Sequence, residues 1–356
     1  MRKKIEVLIK VLTKKSKLLS WSVALVVFCF APGKWKKEYR ECLSSYKYDE
    51  LTAKEKRRMS LDVLFCRFYY WIKTDEYFRY KFMNLSDRGR KEYVGDIELI
   101  YELKKQNDPA SYSILRTKDI TAETFKEYFK RECLRIEGKK DIDKFRDYCS
   151  RHDSFIVKPL AGSYGGKGVR IITISEDNPV DTVFRNLLAE MKKTLYMLEE
   201  VIEQDPGMAK FHPQSVNTIR LVTINENRNV EIVQACVRIG MGDSVVDNGC
   251  LSSSVDIEHG IVTSLGRCAH KAGLYAFQPD TGEQIIGAQI PKWEELKKQI
   301  VDMANVLPNQ RVIGWDLALS TKGWVMVEGN SHPAIQTLSG EGVGARELFN
   351  RLLVNR

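Results

Sequence analysis

The spacing of apolar residues changes repeatedly along this chain, and each change marks a different element. The runs 155–160 and 169–174 are short and rich in β-branched residues, which predicts two strands. Four glycines separate them. Further strands are expected at 195–198, 218–224 and 230–239, and on either side of Thr321-Lys322-Gly323. Helical spacing takes over elsewhere. Thr121 reads as an N-cap, with Phe125, Phe129 and Cys133 on one face. Asn178-Pro179-x-Asp181 opens a helix carrying Val180, Val183, Phe184, Leu187, Leu188 and Met191. Pro291 is expected to open a helix with Trp293, Leu296, Ile300 and Ala304 facing the core. A last helix holds Leu348, Phe349, Leu352 and Leu353. Residues 38–110 read as helical and charged, with the Tyr/Phe content of 68–82 as core rather than a stacking platform. The mixture predicts an α+β fold of two lobes behind a helical N-terminal region. The expected boundaries are 1–37, 38–110 and 111–356, with a lid lobe near 140–200.

Charge refines the N-terminal picture. Residues 1–100 carry 23 Lys/Arg against 13 Asp/Glu, whereas the rest carries 33 against 34. The basic excess therefore sits outside the predicted lobes, and no nucleic-acid partner is expected. Seven of the first 17 residues are basic, residues 18–33 are uncharged, and Lys34, Lys36 and Lys37 follow. Sixteen residues fall short of the roughly 20 that a spanning helix needs. Basic flanks suit a segment lying on an anionic membrane surface, which implies a cytoplasmic protein held peripherally at the inner face. A helix packed in the core fits the same pattern. Eight cysteines without a Cys-x-x-Cys pair, and five histidines, point away from zinc and towards free thiols.

Candidate chemistry concentrates in two places. The first is Lys158 with Gly162, Gly165, Gly166 and Gly168. Strand, glycine loop, strand is neither a Walker A loop nor a dinucleotide fingerprint, since both need a helix after the loop. It fits a hairpin lid whose backbone N–H groups approach a polyphosphate, with Lys158 beside the α- and β-phosphates. A plain flexible hairpin has the same composition, and Lys167 is a solvated loop lysine on that reading. The second place is the hairpin at Gly323. A three-residue loop pairs Ser320 with Trp324, and so Asp316 with Glu328, with Asn330 on the same face. Two carboxylates and an amide suit Mg²⁺ shared with nucleotide phosphates. Arg220, in a β-rich strand, needs a buried partner such as the γ-phosphate. Arg238 suits an acceptor carboxylate or a structural salt bridge. Asp247 and Asn248 suit an acceptor-facing loop or an Asx turn. His332 suits substrate contact or simple packing.

Taken in order, Asn217-Thr-Ile-Arg220, Val246-Asp-Asn248, Pro279-Asp-Thr-Gly282, Gly314-Trp-Asp316 and Glu328-Gly-Asn330 resemble the sugar-transfer-associated group of the ATP-grasp superfamily. That group is related to α-L-glutamate ligases. Asp75-Glu-Tyr-Phe78-Arg-Tyr-Lys-Phe82 looks similar too, so the likeness spans about residues 65–350. The resemblance implies ATP and Mg²⁺ as cofactors. It implies that Glu199, Glu200, Val201 and Ile202 form a hinge whose backbone reads adenine. Glu203 or Asp205 would hold the ribose, and Lys118 would be a second phosphate lysine. It further implies a carboxylate–amine ligase acting on a small or sugar-linked carboxylate and an amine or hydroxyl acceptor, in cell-surface polysaccharide synthesis. A sugar kinase, or a non-catalytic nucleotide- or sugar-binding module, shares the nucleotide half of these motifs.

Overall fold

The computed structural model describes residues 11–30, 32–160, 168–191, 195–242, 251–268, 273–338 and 342–353. Their contacts divide the chain into two units. The first comprises Met1–Gln106, Arg267–Leu274 and Ala334–Arg356; the second comprises Asn107–Gly266 and Tyr275–Pro333.

The first unit is helical where described in its N-terminal hundred residues. Ala53–Tyr69 starts at a capping box, in which Thr52 and Glu55 satisfy each other's backbone N–H groups. Its core is aromatic: Tyr77, Phe78 and Phe82 are all but inaccessible. Polar groups beneath them are paired, with Asp62 accepting from Tyr77 Oη at 2.7 Å and from Arg90 at 2.6 and 2.9 Å. The Arg346–Leu352 helix joins this unit through Arg346, which donates to both oxygens of Glu98 at 2.9 and 3.0 Å. Residues 18–29 of the uncharged stretch lie in the helix Lys17–Cys29, and Gly33 begins the helix Gly33–Ser45. Small residues Ser20 and Ala24 are buried on one side, and Trp21 stacks on Phe65 at 4.4 Å. The other side leaves Leu18, Leu25, Val26 and Phe30 between 50 and 83% exposed. Among the described residues no single helix is long and apolar enough to cross a membrane.

The second unit contains two antiparallel sheets. The smaller runs in the order Cys133–Ile136, Tyr196–Glu200, Ser154–Pro159, Arg170–Thr173. Helices Ile142–Cys149 and Val180–Glu190 cover it, with Phe145, Phe155 and Phe184 in their common core. The larger sheet includes, in order, Gly323–Asn330, Val312–Ser320, Thr218–Glu226, Asn229–Ile239 and Leu251–Ser254. Helix Trp293–Val306 buries Trp293, Leu296, Ile300 and Ala304, as its spacing predicts.

Three local expectations are corrected. Thr121 is not an N-cap: it lies inside Lys118–Thr124, where its hydroxyl donates to Ile114 O and Thr117 O. Phe125 and Phe129 are buried as expected, but Lys130 turns left-handed and Cys133 begins a strand instead of continuing the helix. Asn178 caps nothing, and Pro179 occupies the N-cap position while Asn178 Nδ2 donates to Thr173 O at 2.9 Å. The third correction concerns the hairpin. Its loop has two residues, because Ser320 pairs with Gly323 at φ +92°. A β-bulge between Asp316 and Leu317 then absorbs one extra residue of the partner strand, and Asp316 still faces Glu328. The expected pair is present, through a different register.

Candidate active site

Strand pairing assembles one polar face on the larger sheet. Asp316 is opposed by Arg220 on one side and Glu328 on the other. Arg220 donates to both Asp316 oxygens through Nε and Nη2, and Arg238 Nη1 approaches Asp316 at 3.4 Å. Arg220 Nη2 also lies 3.7 Å from Glu328. Burial would raise the Asp316 carboxyl, but the two guanidinium charges outweigh it and hold the group below its ordinary value. Glu328 moves the other way, raised by desolvation among the packed strands and by the Asp316 charge, although half of its side chain stays open to solvent. Asn330 Nδ2 donates to Glu328 at 2.9 Å. Asp316, Glu328 and Asn330 are therefore brought together, and so are Arg220 and Arg238. Among the described residues no group of three or more His, Cys, Asp or Glu side chains is arranged to hold a metal ion by itself. The donor set is two carboxylates and an amide. It fits Mg²⁺, a hard cation that keeps several waters and shares phosphate oxygens. A cation between Asp316 and Glu328 would also relieve the repulsion that raises Glu328.

The smaller sheet contributes a second charged group. Lys158 donates to Glu199 at 2.8 Å, and Arg131 grips the same oxygen through Nε and Nη2 at 2.9 and 2.8 Å. Glu199 is 2% exposed. Burial opposes its ionisation, yet Lys158 and Arg131 bring its pKa down to about 2. The side chain of Glu199 thus anchors two cations, beyond any role of its backbone. Arg131 has no signal in the sequence, since its partner lies 68 residues away. It is fully engaged: its guanidinium stacks 3.3 Å from the Phe129 ring centre and donates to Met326 O at 2.5 Å.

Lys118 sits within electrostatic reach of Lys158, Glu199 and Glu328, and burial with the Lys158 charge depresses its pKa. Glu200 accepts from Lys322 at 2.8 Å and from Glu132 N at 3.1 Å, joining the hairpin loop to the smaller sheet. Val201 and Ile202 follow it half-buried, outside any strand. Of the two acids left open for the ribose, Asp205 caps the helix Pro206–Ala209 by accepting from Gly207 N at 2.9 Å. Glu203 is exposed. Gly168 adopts φ +79°, which favours glycine, and an added Cβ would meet Pro159 Cγ at 3.0 Å. Gly165, Gly166, Lys167, Asp247 and Asn248 lie outside the described residues. His332 stacks edge-on against Tyr112 at 5.4 Å and pairs with Ser331 at 3.1 Å, a packed turn.

A buried knot supports the strand that bears Arg238. Asn217 Nδ2 donates to Met208 O and His212 O, and to Gln204 Oε1, at 3.0 Å; its Oδ1 accepts from Gly240 N at 3.1 Å. His212 bonds Ser215 Oγ at 2.8 Å and Gly242 O at 2.9 Å. Gln278 donates to Gly240 O at 3.0 Å. Asn217 and Pro279-Asp-Thr-Gly282 belong to the motifs quoted above, and their place in this knot depends on contacts between distant segments.

Comparison with known proteins agrees with the motifs. The family described as sugar-transfer associated ATP-grasp matches residues 101–352. The chain belongs to that family. No curated protein matches it. Among solved structures, the ATP-grasp ligase PsnB complexed with minimal precursor is 14% identical, with 72% of this chain and 66% of that one covered at a TM-score of 0.41. N5-carboxyaminoimidazole synthetase from Staphylococcus aureus, complexed with ADP, is 13% identical over 69% of this chain and 53% of its own, at 0.42. D-alanyl-alanine synthetase A from Vibrio cholerae is 11% identical over 69% and 66%, at 0.43. This chain thus spans about half to two thirds of the length of these proteins.

Proposed function

We propose that the protein is an ATP- and Mg²⁺-dependent ligase that activates a carboxylate as an acyl phosphate. The observation that carries this reading is the single sheet face on which Asp316 and Glu328 stand beside Arg220, with Arg238 next in line. Lys158 and Lys118 neutralise nucleotide phosphates, and Lys158 is held in place by Glu199. Asp316, Glu328 and Asn330 would hold Mg²⁺, which offsets charge on the β- and γ-phosphate oxygens when bound. Arg220 orients the γ-phosphoryl group and Arg238 the carboxylate. A carboxylate oxygen attacks the γ-phosphorus, and the bond to the bridging oxygen breaks with its electron pair leaving on ADP. The acceptor amine or hydroxyl then attacks the acyl carbon, loses its proton, and phosphate departs. The protein acts by positioning and charge neutralisation. The family's association with sugar transfer supports a substrate from cell-surface polysaccharide synthesis.

We propose separately that the protein is held peripherally at the inner face of a membrane. The exposed side of Lys17–Cys29, with Leu18, Leu25 and Val26, lies near Lys14, Lys15 and Lys17 in sequence. Apolar insertion and attraction to anionic lipid would act together there. Triple replacement of Leu25, Val26 and Phe30 by Ser tests this without unpacking Ala24, and undiminished binding to anionic vesicles would refute it.

The reaction is tested by product analysis with candidate sugar acids and amino acids. Release of ADP and phosphate, with a hydroxamate trapped by hydroxylamine, is expected. Stable transfer of γ-³²P to a sugar, without hydroxamate, establishes a kinase instead. Nucleotide binding without turnover of any candidate favours a non-catalytic module.

A further inference from the structure

Arg131 joins the two charged groups of the site. On the smaller sheet its Nε and Nη2 hold Glu199, the carboxylate that also holds Lys158. Towards the larger sheet its Nη1 donates to Met326 O at 2.5 Å, two residues before Glu328. Met326 is where that strand leaves regular pairing. Asp316 opposes Glu328 and Leu317 opposes Met326, so Val327 between them is the extra residue of the bulge. A bulge breaks the ladder locally and bends its strand, so the direction of Glu328 depends on how the bulge is held. Arg131 holds it from outside the larger sheet. The guanidinium is itself fixed: Phe129 O accepts from Nη1 at 3.1 Å, and the Phe129 ring centre lies 3.3 Å away. With its side chain 3% exposed, Arg131 can serve the reaction only through Glu199 and Met326.

We infer that Arg131 is a positioning residue that fixes the phosphate lysine Lys158 and the metal carboxylate Glu328 relative to each other. The inference rests on the ligase reading above and adds to it a residue that touches neither nucleotide nor metal. Only a planar fork of several donors can reach a carboxylate and a carbonyl in different directions at once. The Arg131→Lys ammonium has a single donor centre, and the buried Glu199 charge attracts it more strongly than the Met326 carbonyl dipole. That variant therefore keeps Glu199 neutralised, and with it Lys158, but releases the bulge. Its effect should fall on Mg²⁺ rather than on the nucleotide.

The full chain is titrated calorimetrically with β,γ-imido-ATP over a series of Mg²⁺ concentrations. Two quantities are read: the Mg²⁺ concentration that half-saturates binding, and the nucleotide Kd at saturating Mg²⁺. Arg131→Lys should raise the first roughly tenfold, as expected for loss of one charge-assisted hydrogen bond, and the second less than about threefold. In a Glu328→Gln background the same substitution should have no further effect on the Mg²⁺ requirement. Should Arg131→Lys fail to fold, Phe129→Leu decides; it keeps the site apolar, removes the ring beneath the guanidinium, and should raise the Mg²⁺ requirement roughly threefold. An equal rise in both quantities makes Arg131 a general support of the fold and overturns the inference. So does an unchanged Mg²⁺ requirement in a variant of a wild type that needs Mg²⁺. Wild-type nucleotide binding without any Mg²⁺ dependence, or no nucleotide binding, overturns the reading of the site itself and the inference with it.

Discussion

Replacement of Glu199 by Gln is the sharpest test of the charge arrangement. It keeps the size of the side chain and removes the one charge that serves both Lys158 and Arg131. Their side chains are 14 and 3% exposed, so neither cation can turn to bulk water. Leaving a buried charge uncompensated costs about 3–5 kcal/mol. The pKa gives a second route to the magnitude. A fall from 4.5 to about 2 corresponds to roughly 3 kcal/mol of folding stability. The folded pKa is depressed, so this contribution is complete above about pH 5 and is lost as pH falls towards 2. Wild type and Glu199→Gln should therefore differ by roughly 3–5 kcal/mol in urea unfolding at pH 7. The gap should narrow by about 2 kcal/mol at pH 3. ATP affinity should fall in parallel, since Lys158 loses its anchor. A variant as stable as wild type at pH 7, or a gap that stays constant down to pH 3, would refute the reasoning.

Glu328→Ala should abolish Mg²⁺-dependent turnover with little change in unfolding midpoint, because Glu328 is the more open carboxylate; a folded variant turning over at the wild-type rate removes it from the metal set. Asp316→Ala should abolish turnover and also destabilise by about 3 kcal/mol or more, since Arg220 is left buried without its partner; calorimetric melting separates the two effects. Asn217→Ala should cost roughly 1–3 kcal/mol by leaving Gly240 N without its acceptor and taking a donor from Met208 O and His212 O. It should raise KM for the carboxylate more than for ATP, and an equal rise in both would contradict a role confined to the Arg238 strand.

Local pattern was enough for the elements that carry chemistry. The two lid strands, the Trp293–Val306 helix and the antiparallel hairpin follow from side-chain period, and the order of motifs was enough for the family. The grouping of Asp316, Glu328 and Asn330 was legible because a hairpin is a short-range structure whose face is set by alternation alone. Even there the loop length was wrong and a bulge restored the pair. A bulge depends on neighbouring strands, not on the turn. What tertiary structure alone decided is the partner of each charge. Arg131 and Lys158 meet on Glu199, Arg220 closes on Asp316, and Asn217 reaches Gly240, each across tens of residues. A buried ion pair forms wherever chain topology delivers two opposite charges to the same dry place. No spacing in the sequence encodes that coincidence. The N-terminal helix shows the same limit: its apolar run was plain, but only packing of Trp21 on Phe65 determined which of its sides is covered.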